Sequence, residues 1–278
     1  MGWRAGLLVA CFAAACAVVL PPRAGAQTAD RPACGADDIA RGTVSRVTDG
    51  RTVTLDDGRE VRLAAIEVPP LNDPDGSPNA AGLAAKDGLA ALAQGDRVVL
   101  RRAETASDRY GRLFAYAFVE RDDDRLFVQD EMLGAGLARA GDRIGSQSCA
   151  RELLNHEAEA RAAKLGLWAD PYYDVLHAET PVDVLAHRGR YALVEGKVVS
   201  VRESGSVIYV NFGQRWSECF AVTISKRNAR SFAAAGLDLN SLTGRRVRVR
   251  GWVEQRGGTD NGTPRIEAVR PEQIETIN

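Results

Sequence analysis

The feature that most restricts the fold of this 278-residue chain is an element order that occurs twice. Residues 43–55 (TVSRVTDGRTVTL) alternate apolar and polar side chains around Asp49-Gly50, the pattern of a hairpin. After the Asp56-Asp57-Gly58 turn, Val61, Leu63 and Ala65 line one face of a third strand. A proline-rich loop at 68–78 precedes a helix expected over 80–93, and strands are expected at 97–101 and 113–119. The C-terminal part reads the same way: strands at 191–202, 207–212 and 218–225, a helix at 227–235, then strands at 245–255 and 265–269. Three strands, a helix and two strands is the order of an OB-type barrel. The expected fold class is therefore mainly β with α (α+β), as tandem OB-fold-like barrels. Two helices, at 128–138 and 150–165, follow the first.

Hydrophobic residues make up 45% of the chain and charged residues 26%, which excludes a disordered or membrane-embedded class. Residues 1–26 read as a signal peptide: Arg4, an uncharged apolar run over 5–20, and a small-x-small cleavage pattern at Ala24-Gly25-Ala26. A membrane anchor is the competing reading, but the run is short and a cleavage pattern follows it. The expected location is exported, periplasmic or secreted, with no integral membrane association after cleavage. The expected division is an N-terminal segment at 27–39, a first domain at 40–170, a linker at 171–181 and a second domain at 182–278.

Export leaves Cys34, Cys149 and Cys219 in an oxidising compartment that permits a disulfide. Three pairings are possible. Cys34–Cys149 is favoured because the two flank the first domain, whereas Cys219 lies in the apolar stretch Cys219-Phe220-Ala221-Val222. Three free thiols is the alternative. No CxxC pair points to zinc. Charge is uneven, with a net of −8 over 27–179 and +5 over 180–278. Any attraction of the first domain for phosphate must therefore be local.

Five segments of the first domain are GTVSRVTDGRTVTL, REVRLAAIEVPP, DRYGRLFAYAFV, FVQDEMLGAGLARA and EAEARAAKLGLWAD. In this order and spacing the chain resembles the staphylococcal nuclease family. The resemblance implies a calcium ion between acidic side chains and the scissile phosphate, a glutamate that helps water attack, and two phosphate-binding arginines. Cations placed there stabilise the charge that hydrolysis builds on phosphate oxygens, and a planar guanidinium suits phosphate better than an ammonium does. Arg62 and Arg112 match the family's two arginines. The metal-and-base half departs from the pattern. In Asp49-Gly50-Arg51, Arg51 stands where the first metal aspartate belongs. In Glu67-Val68-Pro69-Pro70, Glu67 keeps a carboxylate, Val68 could offer only its carbonyl, and Pro70 replaces the catalytic glutamate. Arg51 is expected to pair with Glu67 and occupy the vacated cation site. Asp49 and Glu67 are the weak metal candidates, and Asp73 and Asp75 the nearest acids that could substitute. No cofactor is expected, or calcium or another divalent cation if the site is active.

In the second domain, Arg246, Arg248 and Arg250 share one side of a strand. With Arg215, Tyr209, Phe212, Trp216 and Trp252 they are candidates for a nucleic-acid-binding face. An ordinary solvated face over Val247 and Val249 is the bland alternative. The function expected is a thermonuclease-like protein that keeps phosphate or single-stranded nucleic-acid binding with weak or no hydrolysis. The alternatives are an active metal-dependent phosphodiesterase with a rearranged site and a cell-envelope interaction module. The oligomeric state is left open.

Overall fold

The computed structural model describes residues 34–277, except 36, 109, 123, 216 and 257–261. The signal peptide, most of the 27–39 segment and Trp216 lie outside the described residues.

The first barrel starts with β1 (Asp38–Asp49), which turns at Asp49-Gly50 into β2 (Thr52–Leu55), as the alternation predicts. β3 (Glu60–Leu63) pairs with β2, and a two-residue strand, β4 (Ile66–Glu67), carries the chain off the barrel rim. Helix α1 (Ala80–Ala93) is capped by Asn79, whose side-chain oxygen accepts from the Gly82 amide at 2.8 Å. β5 (Arg97–Ser107), β6 (Leu113–Arg121) and β7 (Asp124–Phe127) follow. β3 pairs in parallel with β6, and β1 pairs antiparallel with β5, so β1, β2, β3, β6 and β5 close on themselves. Closure removes sheet edges. Inside, Val47, Val53, Val61, Leu89, Val98 and Phe118 are buried in one continuous core.

Helix α2 (Val128–Gly134) is shorter than the 128–138 expected. β8 (Arg139–Ala140) pairs with β4, opposing Arg139 to Glu67. Helix α3 (Gln147–Ala162) begins before the expected 150, because Ser146 caps it by accepting from the Cys149 amide. That first turn brings Cys149 to Cys34, and the two form a disulfide spanning 115 residues; Cys219 is a free, buried thiol.

The segment expected as a linker at 171–181 is packed. Pro171–Tyr173 forms a 3₁₀ turn, and the buried Tyr173 exchanges hydrogen bonds with Asn79, the cap of α1. β9 (Leu176–His177) and α4 (Pro181–Ala186) lead into the second barrel. The single strand expected at 191–202 is two, β10 (Tyr191–Lys197) and β11 (Ser200–Ser204). At the break the backbone changes partner: the Val198 amide donates to Arg245, the Val199 amide to Asn211. β12 (Val207–Asn211), β13 (Ala221–Ser225), α5 (Lys226–Ala234), β14 (Arg246–Arg256) and β15 (Thr263–Glu267) complete the order of the first barrel. Again the third strand runs parallel to the last, here β13 with β15, and the first pairs with the fourth, β10 with β14. A final strand, β16 (Ile274–Ile277), pairs antiparallel with the first half of β14, whose second half pairs with β15. The structure thus has two OB-like barrels, each with its own core. A smaller cluster of Ala160, Leu167, Trp168, Tyr173 and Leu193 joins them. No helix among the described residues is long and apolar enough to cross a membrane.

Candidate functional site

The β1–β2 turn, β3 and the loop after β4 converge at one rim of the first barrel. Asp49 ends β1 and accepts from the Arg51 amide at 2.9 Å, a local turn that fixes where Arg51 starts. The Arg51 side chain then reaches across the rim. One nitrogen donates to the Ile66 carbonyl at 3.2 Å and pairs with the Glu67 carboxylate. The pairing expected from the opposite-sign swap is present. The second Glu67 oxygen is buried and accepts no hydrogen bond among the described residues. Burial pushes the Glu67 carboxyl up, Arg51 opposes the shift, and Asp142 adds to it.

Pro70 is held at the same rim. Its carbonyl lies over Gly82 in α1, where a Cβ would stand 2.0 Å from the oxygen, so the loop sits where it does because residue 82 has no side chain. Pro70 has no proton to give or take. Asp73 accepts from Asn79 and Arg190, and Asp75 accepts from Ser77, so the two loop acids are committed to local structure.

Arg62 lies in β3, paired with Thr52 on one side and Phe114 on the other. It is half-buried, and among the described residues no hydrogen bond or ion pair holds its guanidinium. Burial lowers its pKa, with Arg51 and Arg112 adding to the effect against Glu67 and Asp49. A cation with no carboxylate against it favours an incoming anion. Arg112 is held differently. Gly111, at φ +79°, lets the 108–112 turn fold back so that Arg112 donates to Asp108 at 2.7 Å, over the Tyr110 ring at 5.2 Å. Burial works against ionisation of Asp108, but hydrogen bonds from Arg112 and from the turn amides outweigh it and hold the carboxyl below its ordinary value.

The donor set does not fit calcium. That ion takes six to eight oxygens, and here one Asp49 oxygen accepts from the Arg51 backbone amide, while one Glu67 oxygen and the Ile66 carbonyl are both taken by the Arg51 guanidinium. No cluster of three or more His, Cys, Asp or Glu side chains suited to a metal occurs among the described residues.

The arginines proposed for the second barrel need correction. Arg246, Arg248 and Arg250 do share a strand side, but what covers that side changes along it. Arg246 is exposed. Arg248 is 17% exposed and pairs with Glu195 at 2.5 Å and with Glu275. Arg250 is 1% exposed, pairs with Glu157 of α3 at 2.8 Å and with Glu275, and donates to the Ala140 carbonyl. Arg250 is shut off from solvent by these partners, and Arg248 is committed to two carboxylates. Phe212 is buried in the second core and is not part of a surface either.

A residue with no role expected from the sequence, although it lies in the segment FVQDEMLGAGLARA, occupies the rim instead. Arg139, in β8, is 7% exposed and lies between the rings of Tyr173 and Tyr191, 5.5 and 5.4 Å from their centroids. Burial lowers its pKa. It lines, with Arg51, Arg62 and Pro70, a cleft of about 740 Å³ whose opposite wall comes from the second barrel.

The family described as "Staphylococcal nuclease homologue" matches residues 60–170. Protein ParB from Escherichia coli is 31% identical over 138 residues, covering 48% of this chain and 74% of the relative. Micrococcal nuclease from Shigella flexneri is 32% identical over 139 residues, covering 47% of this chain and 75% of the relative. With the closed first barrel and these matches together, the chain belongs to the staphylococcal nuclease family.

Proposed function

We propose that this protein is an exported member of the family that binds nucleic-acid phosphates through Arg62, with Arg112 beside it, and hydrolyses them weakly or not at all. The observation that carries the reading is the Arg51–Glu67 pair next to an unpaired Arg62. The cation that the relatives' pattern would recruit from solution is supplied by the chain itself, while Arg62, a phosphate-binding cation, has no partner among the described residues. Losing a positioned general base typically costs about 10²- to 10⁴-fold, and Pro70 stands at that position. Export is supported by the Cys34–Cys149 disulfide, which persists in an oxidising compartment.

The test is incubation of the purified protein with single-stranded DNA and RNA in calcium, in magnesium and in chelator. The reading expects binding that weakens with salt and with Arg62→Ala, and little or no cleavage in any condition. Brisk metal-dependent cleavage abolished by Arg112→Ala would establish a phosphodiesterase with a rearranged site. Absence of both binding and cleavage would leave an interaction module of the cell envelope.

A further inference from the structure

We propose that the cleft between the two barrels is a binding site for single-stranded nucleic acid, in which Arg139 takes a phosphate and the exposed rings of Tyr172 and Trp252 take bases. The proposal rests on the phosphate-binding reading above and extends it to a second wall that the family's own domain does not contain.

The first observation is Arg139. A guanidinium this deeply buried is costly unless a carboxylate or hydrogen-bond acceptors compensate it. Among the described residues it has no ion pair, and its Nε has no hydrogen-bond partner. Glu67 and Glu157 are near enough to favour its charged form, but each is paired with another arginine, Arg51 and Arg250. The remaining demand for negative charge faces the cleft.

The second observation is the order of rings. Tyr173 and Tyr191 flank Arg139, and their hydroxyls are engaged with Asn79 and the Ala140 carbonyl. Each then meets an exposed ring edge-on: Tyr173 meets Tyr172 at 5.0 Å, and Tyr191 meets Trp252 at 5.8 Å. Tyr172 is 45% and Trp252 43% exposed, and both line the cleft. A buried cation with an exposed ring beyond each of its two flanking tyrosines suits a chain in which phosphates alternate with unstacked bases.

The third observation is charge. Five arginines and two aspartates line the cleft. Arg51 is paired with Glu67 and Arg190 with Asp73, Arg188 donates to the neutral Gln255, and among the described residues Arg62 and Arg139 have no carboxylate partner. The cleft is thus a local positive site beside an acidic barrel. Its volume falls within the roughly 300–1,000 Å³ usual for built ligand sites. A duplex keeps its bases stacked on one another and cannot offer them to these rings.

The experiment is fluorescence anisotropy of an end-labelled thymidine oligomer, in chelator to prevent cleavage, with the full chain. Trp252→Ala, Tyr172→Ala and Arg139→Gln should each weaken binding roughly ten-fold or more, and the matching duplex should bind more weakly than the single strand. Arg139 is buried, so the two exposed aromatic variants carry the test if Arg139→Gln does not fold. Binding that Arg62→Ala weakens but Trp252→Ala and Tyr172→Ala leave unchanged would overturn the cleft proposal while the proposed function stands. Equal affinity for duplex would overturn it as well. No binding by the wild-type protein would overturn both.

Discussion

Arg250 of the second barrel donates to Glu157 of the first at 2.8 Å, and the two side chains are 1% and 0% exposed. Glu157 also accepts from the Ala140 amide at 3.0 Å, and Arg250 also pairs with Glu275 of β16. The charges that fasten the barrels together are therefore withdrawn from water and compensated from both sides. Burial disfavours the charged Arg250, but Glu157 and Glu275 outweigh it and raise its pKa. Removing one partner of such a pair leaves the other charge buried. Arg250→Met should lower the unfolding free energy by about 3–5 kcal/mol, measured by urea denaturation. A loss below about 1 kcal/mol would show that the pair contributes little to the joint between the barrels.

Replacing the built-in cation tests whether the rim still has the shape of a metal site. Arg51→Asp places a third carboxylate beside Glu67 and Asp49. The variant should be less stable than the wild type in chelator and should gain thermal stability with calcium, by about 2.7 kcal/mol at a hundred times its Kd. Wild-type Tm should not respond to calcium. Adding Pro70→Glu should bring calcium-dependent cleavage of single-stranded DNA. A variant whose Tm ignores millimolar calcium would mean that the rim no longer holds the geometry.

The Cys34–Cys149 bond ties the start of the first barrel to the first turn of α3 across 115 residues. In the chain-entropy account a loop of that length contributes about 4–5 kcal/mol by restricting the unfolded chain. The double variant Cys34→Ala/Cys149→Ala should lose stability of that order in denaturant titrations, and added reductant should shift the wild-type midpoint but not the variant's.

Asp130, in the first turn of α2, supplies a pH signature. Burial pushes its carboxyl up from the ordinary 3.8 to about 6, against the pull of His156, whose Nε2 is 3.3 Å away. Glu131, Glu152 and Glu159 add to the shift. The folded state therefore holds this proton more tightly than the unfolded chain. The contribution is fully present below about pH 4 and is lost as pH rises through about 6. Asp130→Asn keeps the group neutral throughout. Its Tm should exceed that of the wild type near pH 7, and the difference should vanish near pH 4. A constant difference across that range would assign the effect to packing instead.

Much of this protein was legible in its sequence, for local reasons. Alternation around Asp49-Gly50, the Asp56-Asp57-Gly58 turn and the order of strands and helix are short-range patterns, and the strand-and-helix order recurs in both barrels. The exchange of opposite charges at Arg51 and Glu67 was legible too, because both lie at a rim whose register the strands set. The strand pattern of β14 likewise says that Arg246, Arg248 and Arg250 share a side. It does not say what lies over that side. Only the tertiary structure decided that Arg246 meets solvent while Arg250 meets Glu157, 93 residues away in the chain. The same limit hid Arg139, a lone arginine among Leu137, Ala138 and Ala140 whose flanking rings, Tyr173 and Tyr191, come from the packed connection and from the second barrel. Periodicity encodes the face on which a side chain stands. The partner that covers that face is set by the docking of elements distant in sequence, and no local pattern records it.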